Sequence, residues 1–577
     1  MSRNQTLAGR KPGALLVAAV VLTVALDLGA FACSRQQMQQ NEPESAAAER
    51  HELDAIGHSQ AAGASAKPDA AELEYFALEE RALLAAVPMN PSSRAADAEF
   101  ATEQYDFVAE KGFVDVVRNP LSTFSIDVDT ASYANVRRML REGRLPPDGA
   151  VRIEEMVNYF SYDYPDANAD EPFSVNVETT TAPWSPQHQL VRIGLQGRRI
   201  NERDVPPRNL TFLLDVSGSM ASPDKLGLVK RAMAGLARRL RPEDRVAIVV
   251  YAGASGLVLP PTSGEDRGTI LSALEQLRAG GSTAGAAGIR LAYEVARRSY
   301  DPRGINRVIL ATDGDFNVGV SSDEALVELI EEKRAGGVYL SVLGFGGGNL
   351  QDAKLEQLAD HGNGNYAYVD SIAEARKVLV EEIGGTLETI AKDVKIQVEF
   401  NPAHVSAWRL IGYENRVLAD RDFNDDSKDA GEIGAGHEVT ALYEVVPVGV
   451  APPAGDVDDL RYQTPRGTAG AGRDGELLTV KLRYKQPDGR RSRLIAQAVP
   501  AEVTPWRFAS DDLRFAASVA AFGMLLRESE HAGEASWEQI DTIARSTLAR
   551  DPGGRRAEFL SLVGIARELT QAEIAHR

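Results

Sequence analysis

The sequence has a single cysteine, Cys33, in 577 residues. No internal disulfide can form, so the folded parts rest on their hydrophobic cores. Basic residues are also short: 63 Lys and Arg stand against 83 Asp and Glu, a net charge of −20. That balance argues against nucleic acid or an anionic membrane surface as the main partner, since both call for a basic face. It suits cations or basic surfaces, although a solvated acidic surface has the same composition. There is no internal repeat and no G-x-S-x-G nucleophile elbow. The central third of the chain holds one histidine, His361. A hydrolase would want a general base or a nucleophile, and few groups here could serve.

What is present is ordinary globular composition, 44% apolar and 25% charged, in a chain long enough for several domains. Arg3, Arg10 and Lys11 precede the apolar run "GALLVAAVVLTVAL", which is followed by "DLGAFACS". This has the basic start and apolar core of an export signal. Cys33 stands where a bacterial lipoprotein signal places its lipidated residue. Ala32 fits that pattern, whereas Ala30 and Phe31 replace the usual Leu and small residue. Lipidation at Cys33 is expected, with an uncleaved membrane anchor or a plain secretory signal as alternatives. Asp27 disfavours a spanning helix. Each case places the bulk of the chain outside the cytoplasm, at the cell envelope, on the periplasmic or surface side. Residues 34–102, rich in Gln, Ala, Ser and charge, read as a disordered tether.

Order is expected from residue 103. Segments 103–207 read as an N-terminal α/β flanking domain with paired strands at "FSVNVETTTAPW" and "HQLVRIGLQGRR". Over 208–391 the pattern becomes strand–helix alternation. The strands "NLTFLLDVS", "DRVAIVVYAG", "RVILATDG", "VYLSVLGFG" and "NYAYVDS" are nearly continuously apolar. That composition predicts a doubly wound, mainly parallel sheet with helices on both faces. Residues 392–577 read as a β-rich and then helical C-terminal domain.

In open α/β sheets, ligands sit beyond the carboxyl ends of the strands. "DVSGSM" places Asp215, Ser217 and Ser219 at that edge, at alternate positions that let all three turn toward one point. "GGSTAG" brings Thr283 to the start of a helix, and "LATDGDFN" brings Asp313 to the end of another strand. Two carboxylates and three hydroxyls form an all-oxygen set suited to Mg²⁺, with Mn²⁺ or Ca²⁺ possible, and not to zinc or copper. The alternative, that these residues merely cap the following helix, uses the same side chains.

The five residues resemble the metal-ion-dependent adhesion site of von Willebrand factor type A domains, with every position intact. "NPLSTFSIDVDTASYANVRRML", "VRIEEMVNYFSYDYP", "TIAKDVKIQVEFNP" and "DFNDDSKDAGEIGAGHEVTALYEVVP" are similar to segments of a group of bacterial, often lipoprotein-type, proteins of that family. The group carries its own domains on either side of the A domain. The resemblance implies that Ser217 and Ser219 bind metal through their hydroxyls. Asp215 and Asp313 would supply charge, directly or through water, while Thr283 enters or leaves the coordination as the ligand state changes. An Asp or Glu of a partner protein would fill the open position. The implied function is metal-dependent protein binding, in adhesion or assembly, and not catalysis. A metal-assisted hydrolase and a scaffold with a vestigial site are the alternatives.

Weaker signals have plainer readings. "DVDTAS", with Asp127 and Asp129, looks like a second metal loop but is expected to cap a helix. "DFNDDSKDAGE" imitates a calcium loop at Asp422, Asn424 and Asp426. It has Ser427 where Gly is needed and Ile433 where Glu is needed, so a surface turn is expected. "GFGGGNLQDAK" lacks a phosphate-binding or dinucleotide pattern and is expected to turn a strand tightly into a helix.

Overall fold

The structure, a computed structural model, describes residues 103–577 except 107–108, 127–128, 169–170, 202, 282–284, 315, 317–322, 349, 383–387, 429, 454–474, 488, 552 and 577. The export segment, Cys33 and the tether therefore lie outside the described residues. Among the described residues no helix is long and apolar enough to cross a membrane.

The described chain opens with β1 (Val114–Asp115), β2 (Leu121–Ser125), α1 (Ala131–Arg141) and α2 (Ile153–Asn158). The antiparallel pair β3 (Phe173–Ala182) and β4 (Ser185–Gly197) follows. The central part starts with β5 (Arg208–Asp215), α3 (Leu228–Arg239), β6 (Arg245–Tyr251), β7 (Ser255–Ser263), α4 (Arg267–Gln276) and α5 (Gly285–Arg298). It continues with β8 (Ile305–Thr312), α6 (Asp323–Ala335), β9 (Tyr339–Phe345), α7 (Asp352–His361), β10 (Tyr366–Val369) and α8 (Ile372–Arg376). Beyond it lie β11 (Thr389–Phe400), β12 (Val405–Ile411), β13 (Ile433–Gly434), β14 (Glu438–Pro447), β15 (Glu476–Lys485) and β16 (Arg493–Pro500). Three helices close the chain: α9 (Asp511–Leu526), α10 (Trp537–Ser546) and α11 (Arg555–His576).

The central sheet runs β10-β9-β8-β5-β6-β7, parallel throughout except for β7, which is antiparallel to β6. Every residue of β5 and β8 is buried, which is why these strands are continuously apolar: each face carries a helical layer. On α3 the residues Leu228, Val229, Ala232, Met233 and Leu236 fall on one helical stripe and enter the core of one face, with α4 and α8. The other face packs under α5, α6 and α7. This is the doubly wound α/β fold. The sequence reading missed β7, because Pro260 and Pro261 argue against a strand. β7 lies at the sheet edge, and its register against β6 shifts between Leu259 and Thr262, so the two prolines fall where the ladder is already interrupted.

The two flanks do not form separate domains as expected. β4 pairs with β14 from Gln196–Glu438 to Gln189–Val445, in a sheet ordered β1-β12-β14-β4-β3. A second sheet, β13-β11-β15-β16, takes β2 alongside β11. Each sheet thus mixes strands from before and after the central domain. Val191 and Ile193 share a core with Val398, Val439 and Val480. Tyr133 and Phe160 from α1 and the chain after α2 pack with Phe515 and Phe559 of α9 and α11. The central α/β unit is therefore an insertion within one flanking domain. Strand periodicity shows which face is apolar but not which strand lies alongside, so local pattern could not reveal this pairing.

Buried charge joins the insertion to its host. Arg137 on α1 donates to Asp370 Oδ2 (2.7 Å) and Oδ1 (2.5 Å), Glu374 Oε2 (2.7 Å), the Tyr159 hydroxyl (2.8 Å) and Glu558 Oε2 (3.1 Å). Arg152 pairs with Asp352, Glu356 and Glu155. Arg416 pairs with Glu356 and Asp360, both at 2.7 Å, and with Asp129 at 3.2 Å.

A cavity of about 170 Å³ lies at this junction, with Tyr159, Ser341, Lys377, His437 and Glu438 in its walls. Burial pushes the Glu438 carboxyl from the usual 4.5 to about 7, which the Tyr162 N–H and Arg199 offset only in part. Folding therefore raises this group's affinity for its proton. The stability it contributes is full below pH 4.5 and is lost as the pH rises through about 7. The unfolding free-energy difference between wild type and Glu438→Gln is expected to shift by about 2–3 kcal/mol between acidic and mildly alkaline pH, in the direction of relatively weaker wild type. Denaturant titrations at both pH values check this, and a pH-independent difference would contradict it.

Candidate metal centre

Parallel pairing of β5 with β8, Leu214 beside Ala311, delivers Asp215 and Asp313 to one edge of the sheet. Both carboxylates are fully buried. Asp215 Oδ1 accepts the Ser217 N–H at 2.8 Å, while Oδ2 accepts the hydroxyls of Tyr251 at 3.0 Å and Thr312 at 3.3 Å. Ser217 is buried and Ser219 exposed, with their hydroxyl oxygens 3.0 Å apart. The loop therefore turns its hydroxyls together and opens to solvent at Ser219. Asp313 Oδ2 accepts from the Lys225 ammonium at 2.9 Å, and Asp313 Oδ1 is buried with no hydrogen-bond partner among the described residues.

Thr283 lies outside the described residues. The segment leading to it reaches the site: Gly280 N–H donates to the Val216 carbonyl at 2.8 Å, and Gly218 N–H to the Gly281 carbonyl at 3.0 Å. Beneath, α5 packs directly on β5 and β6. A Cβ on Gly288 would come within 2.8 Å of Tyr251 Cβ and 3.2 Å of Leu213 Cδ1. Only glycine lets the helix sit this low, which keeps the start of α5 near the edge.

Burial raises the Asp215 carboxyl above its ordinary range, and the neighbouring charge of Asp313 adds to this against the hydrogen bonds from Ser217 and Tyr251. Two buried carboxylates near enough to raise one another's proton affinity favour a cation nearby. Among the described residues no three His, Cys, Asp or Glu side chains converge as a metal-binding group. The set instead relies on hydroxyls to complete two carboxylates. The orphaned Asp313 Oδ1, the paired serine hydroxyls and the lack of nitrogen or sulfur donors fit a hard cation such as Mg²⁺.

Sequence reasoning missed Lys225. A lysine in "SPDKLG" reads as solvated, and nothing in its local pattern signals a buried contact with Asp313.

The weaker signals resolve individually. Asp129 does not cap α1: its Oδ1 accepts the Tyr366 N–H at 2.7 Å and its Oδ2 pairs with Arg416, so it staples the flank to β10. Asp127 lies outside the described residues. In the calcium-loop imitation, Lys395 donates to the Asp422 carbonyl at 3.2 Å and the Asp425 carbonyl at 2.5 Å, and Lys485 donates to the Asp426 carbonyl at 2.7 Å. Lysine ammonium groups thus bond the main chain of this turn, which lies on the surface. His361 sits 2.9 Å from Glu331 at the end of α7, on the surface. The Gly-rich stretch turns β9 toward α7, with Gly346 at φ +68°.

Three family models match the chain. One described as von Willebrand factor covers residues 99–192, one described as von Willebrand factor type A domain covers 209–381, and one described as Uncharacterized protein YfbK, C-terminal, covers 385–569. The chain is 42% identical over 476 residues to Uncharacterized protein YfbK of Escherichia coli (strain K12), across 81% of this chain and 82% of that protein. The chain belongs to the YfbK family of von Willebrand factor A proteins. It is also 30% identical over 194 residues to Uncharacterized protein sll0103 of Synechocystis sp. (strain ATCC 27184 / PCC 6803 / Kazusa), covering 34% of this chain and 44% of that one. A solved structure, von Willebrand factor type A from Catenulispora acidiphila, aligns at 16% identity over 67% of this chain and 88% of that chain, with a TM-score of 0.36. In the YfbK-family chain the A domain is the central α/β insertion, and A domains in general act in protein–protein interaction.

Proposed function

We propose that this protein is a divalent-metal-dependent protein-binding module of the bacterial cell envelope, held there by its N-terminal segment with lipidated Cys33. The observation that carries the reading is that one sheet edge brings together a buried Asp313 oxygen, without a hydrogen-bond partner among the described residues, and a loop whose Ser217 and Ser219 hydroxyls meet and open to solvent at Ser219. Ser217, Ser219 and Thr283 would hold Mg²⁺, with Asp215 and Asp313 supplying charge. Bound there, the ion would offer a Lewis-acidic position that an outside carboxylate can complete. The protein's own part is to prepare the site. Tyr251, Thr312 and the Ser217 N–H fix the Asp215 carboxylate, and the Gly280–Gly281 contacts fix the loop that carries the serines.

Calorimetry of the protein with MgCl₂ tests the metal. Wild type is expected to bind, and Ser217→Ala is expected to lose at least tenfold in affinity, on the order of the 1.4 kcal/mol that one hydroxyl ligand can supply. Retention of envelope proteins in Mg²⁺ but not in chelator, lost with Asp215→Ala, would support the partner reading. Magnesium-independent retention would remove it.

A further inference from the structure

Lys225 places a positive charge on a predicted metal ligand. Its ammonium lies 2.9 Å from Asp313 Oδ2, and the two side chains are 9% and 0% exposed. The lysine stem crosses the turn after β9. A Cβ on Gly346 would meet Lys225 Cγ and Cε at 2.4 Å, so that glycine leaves the channel through which the stem reaches Asp313. The contact is thus built from two loops rather than being a stray surface pair. Asp313 has one oxygen committed to this ammonium and the other without a partner among the described residues.

A divalent ion arriving at the free oxygen would face the ammonium across one carboxylate. In a poorly solvated site the two cations repel each other strongly at that range. A carboxylate stripped of both would in turn be a buried, uncompensated charge. We propose that Lys225 is the resident cation of this site: it holds Asp313 while divalent metal is absent, and metal loads by exchange with it. The proposal rests on the metal-binding reading above. On this scheme the empty site stays folded and neutralised, and part of the metal's binding energy goes into releasing an ion pair. The apparent affinity is lower than the donor set alone would give.

Calorimetric titration of wild type and Lys225→Met with MgCl₂ is the test. Lys225→Met is expected to bind Mg²⁺ at least tenfold more tightly. Equal or weaker binding by the variant, with wild type binding, overturns the exchange and leaves the metal site standing. Absence of Mg²⁺ uptake by both overturns the metal reading, and the exchange with it. Because the variant leaves Asp313 without its partner and can weaken the fold, wild type supplies a second reading. Brief acetylation of lysines, read by mass spectrometry, is expected to modify Lys225 at least threefold more in Mg²⁺ than in chelator, relative to the other lysines. Labelling of Lys225 that does not respond to Mg²⁺ counts against exchange.

Discussion

Replacing Arg137 with methionine is expected to lower the unfolding free energy by about 3–5 kcal/mol, the range for breaking a buried ion pair from one side. Arg137 is 2% exposed and its guanidinium serves Asp370, Glu374, Glu558 and Tyr159 at once. Burial alone would push the Glu374 carboxyl up. Arg137, with Lys377 and the Tyr159 hydroxyl, outweighs this and holds it below the usual carboxylate range. In wild type, then, Glu374 contributes stability above its unfolded pKa that fades as the pH falls. Without Arg137 the same carboxylate is stranded in a dry site, and its pKa moves the other way. The deficit of Arg137→Met should therefore be largest near neutrality and shrink as the pH drops toward 4.5. Arg141→Met is the control. That guanidinium is 42% exposed and, among the described residues, pairs with Glu558 alone, so its loss should cost under about 1 kcal/mol. Urea titrations of both variants decide it, and an Arg137→Met deficit below that of the control would show that this network does not hold the two domains together.

The central fold was legible because its signals are local. A strand such as "NLTFLLDVS" states its own burial, and the spacing of Leu228, Val229, Ala232, Met233 and Leu236 states a helix and its inner face. The candidate site was legible for the same reason at Asp215, Ser217 and Ser219, which sit on one loop. Asp313 needed the parallel register of β5 and β8, which strand–helix alternation supplies. The readings that went astray depend on partners distant in sequence. Asp129 is 237 residues from the Tyr366 N–H it accepts, and Lys225 is 88 residues from Asp313. Neither distance leaves a trace in composition or periodicity. β7 failed for a different reason, because proline is penalised in a strand by default and excused only by an edge position that the sequence does not state.

Residues 388–577 expressed alone, with β11 whole, are expected to show no cooperative unfolding, even though a family model spans 385–569 as a unit. Cut from 103–207, β14 loses β4 and presents a long unpaired edge, and β11 loses β2. The helices lose as much. Tyr133, Met156, Val157, Tyr159 and Phe160 are each under 5% exposed in the core they share with α9 and α11. At about 2 kcal/mol for each buried side chain, removing these five withdraws about 10 kcal/mol, which is comparable with the whole stability of an ordinary domain. The insertion stands differently, since its two cores are drawn mainly from its own strands and helices. Residues 208–382 alone should therefore melt in a single transition. Mixing 103–207 with 388–577 should restore a folded one-to-one complex, detectable by circular dichroism and size exclusion. A sharp transition from 388–577 by itself would mean that its strands close a core unaided, and the pairing of β4 with β14 would then be an attachment between two domains rather than the middle of one.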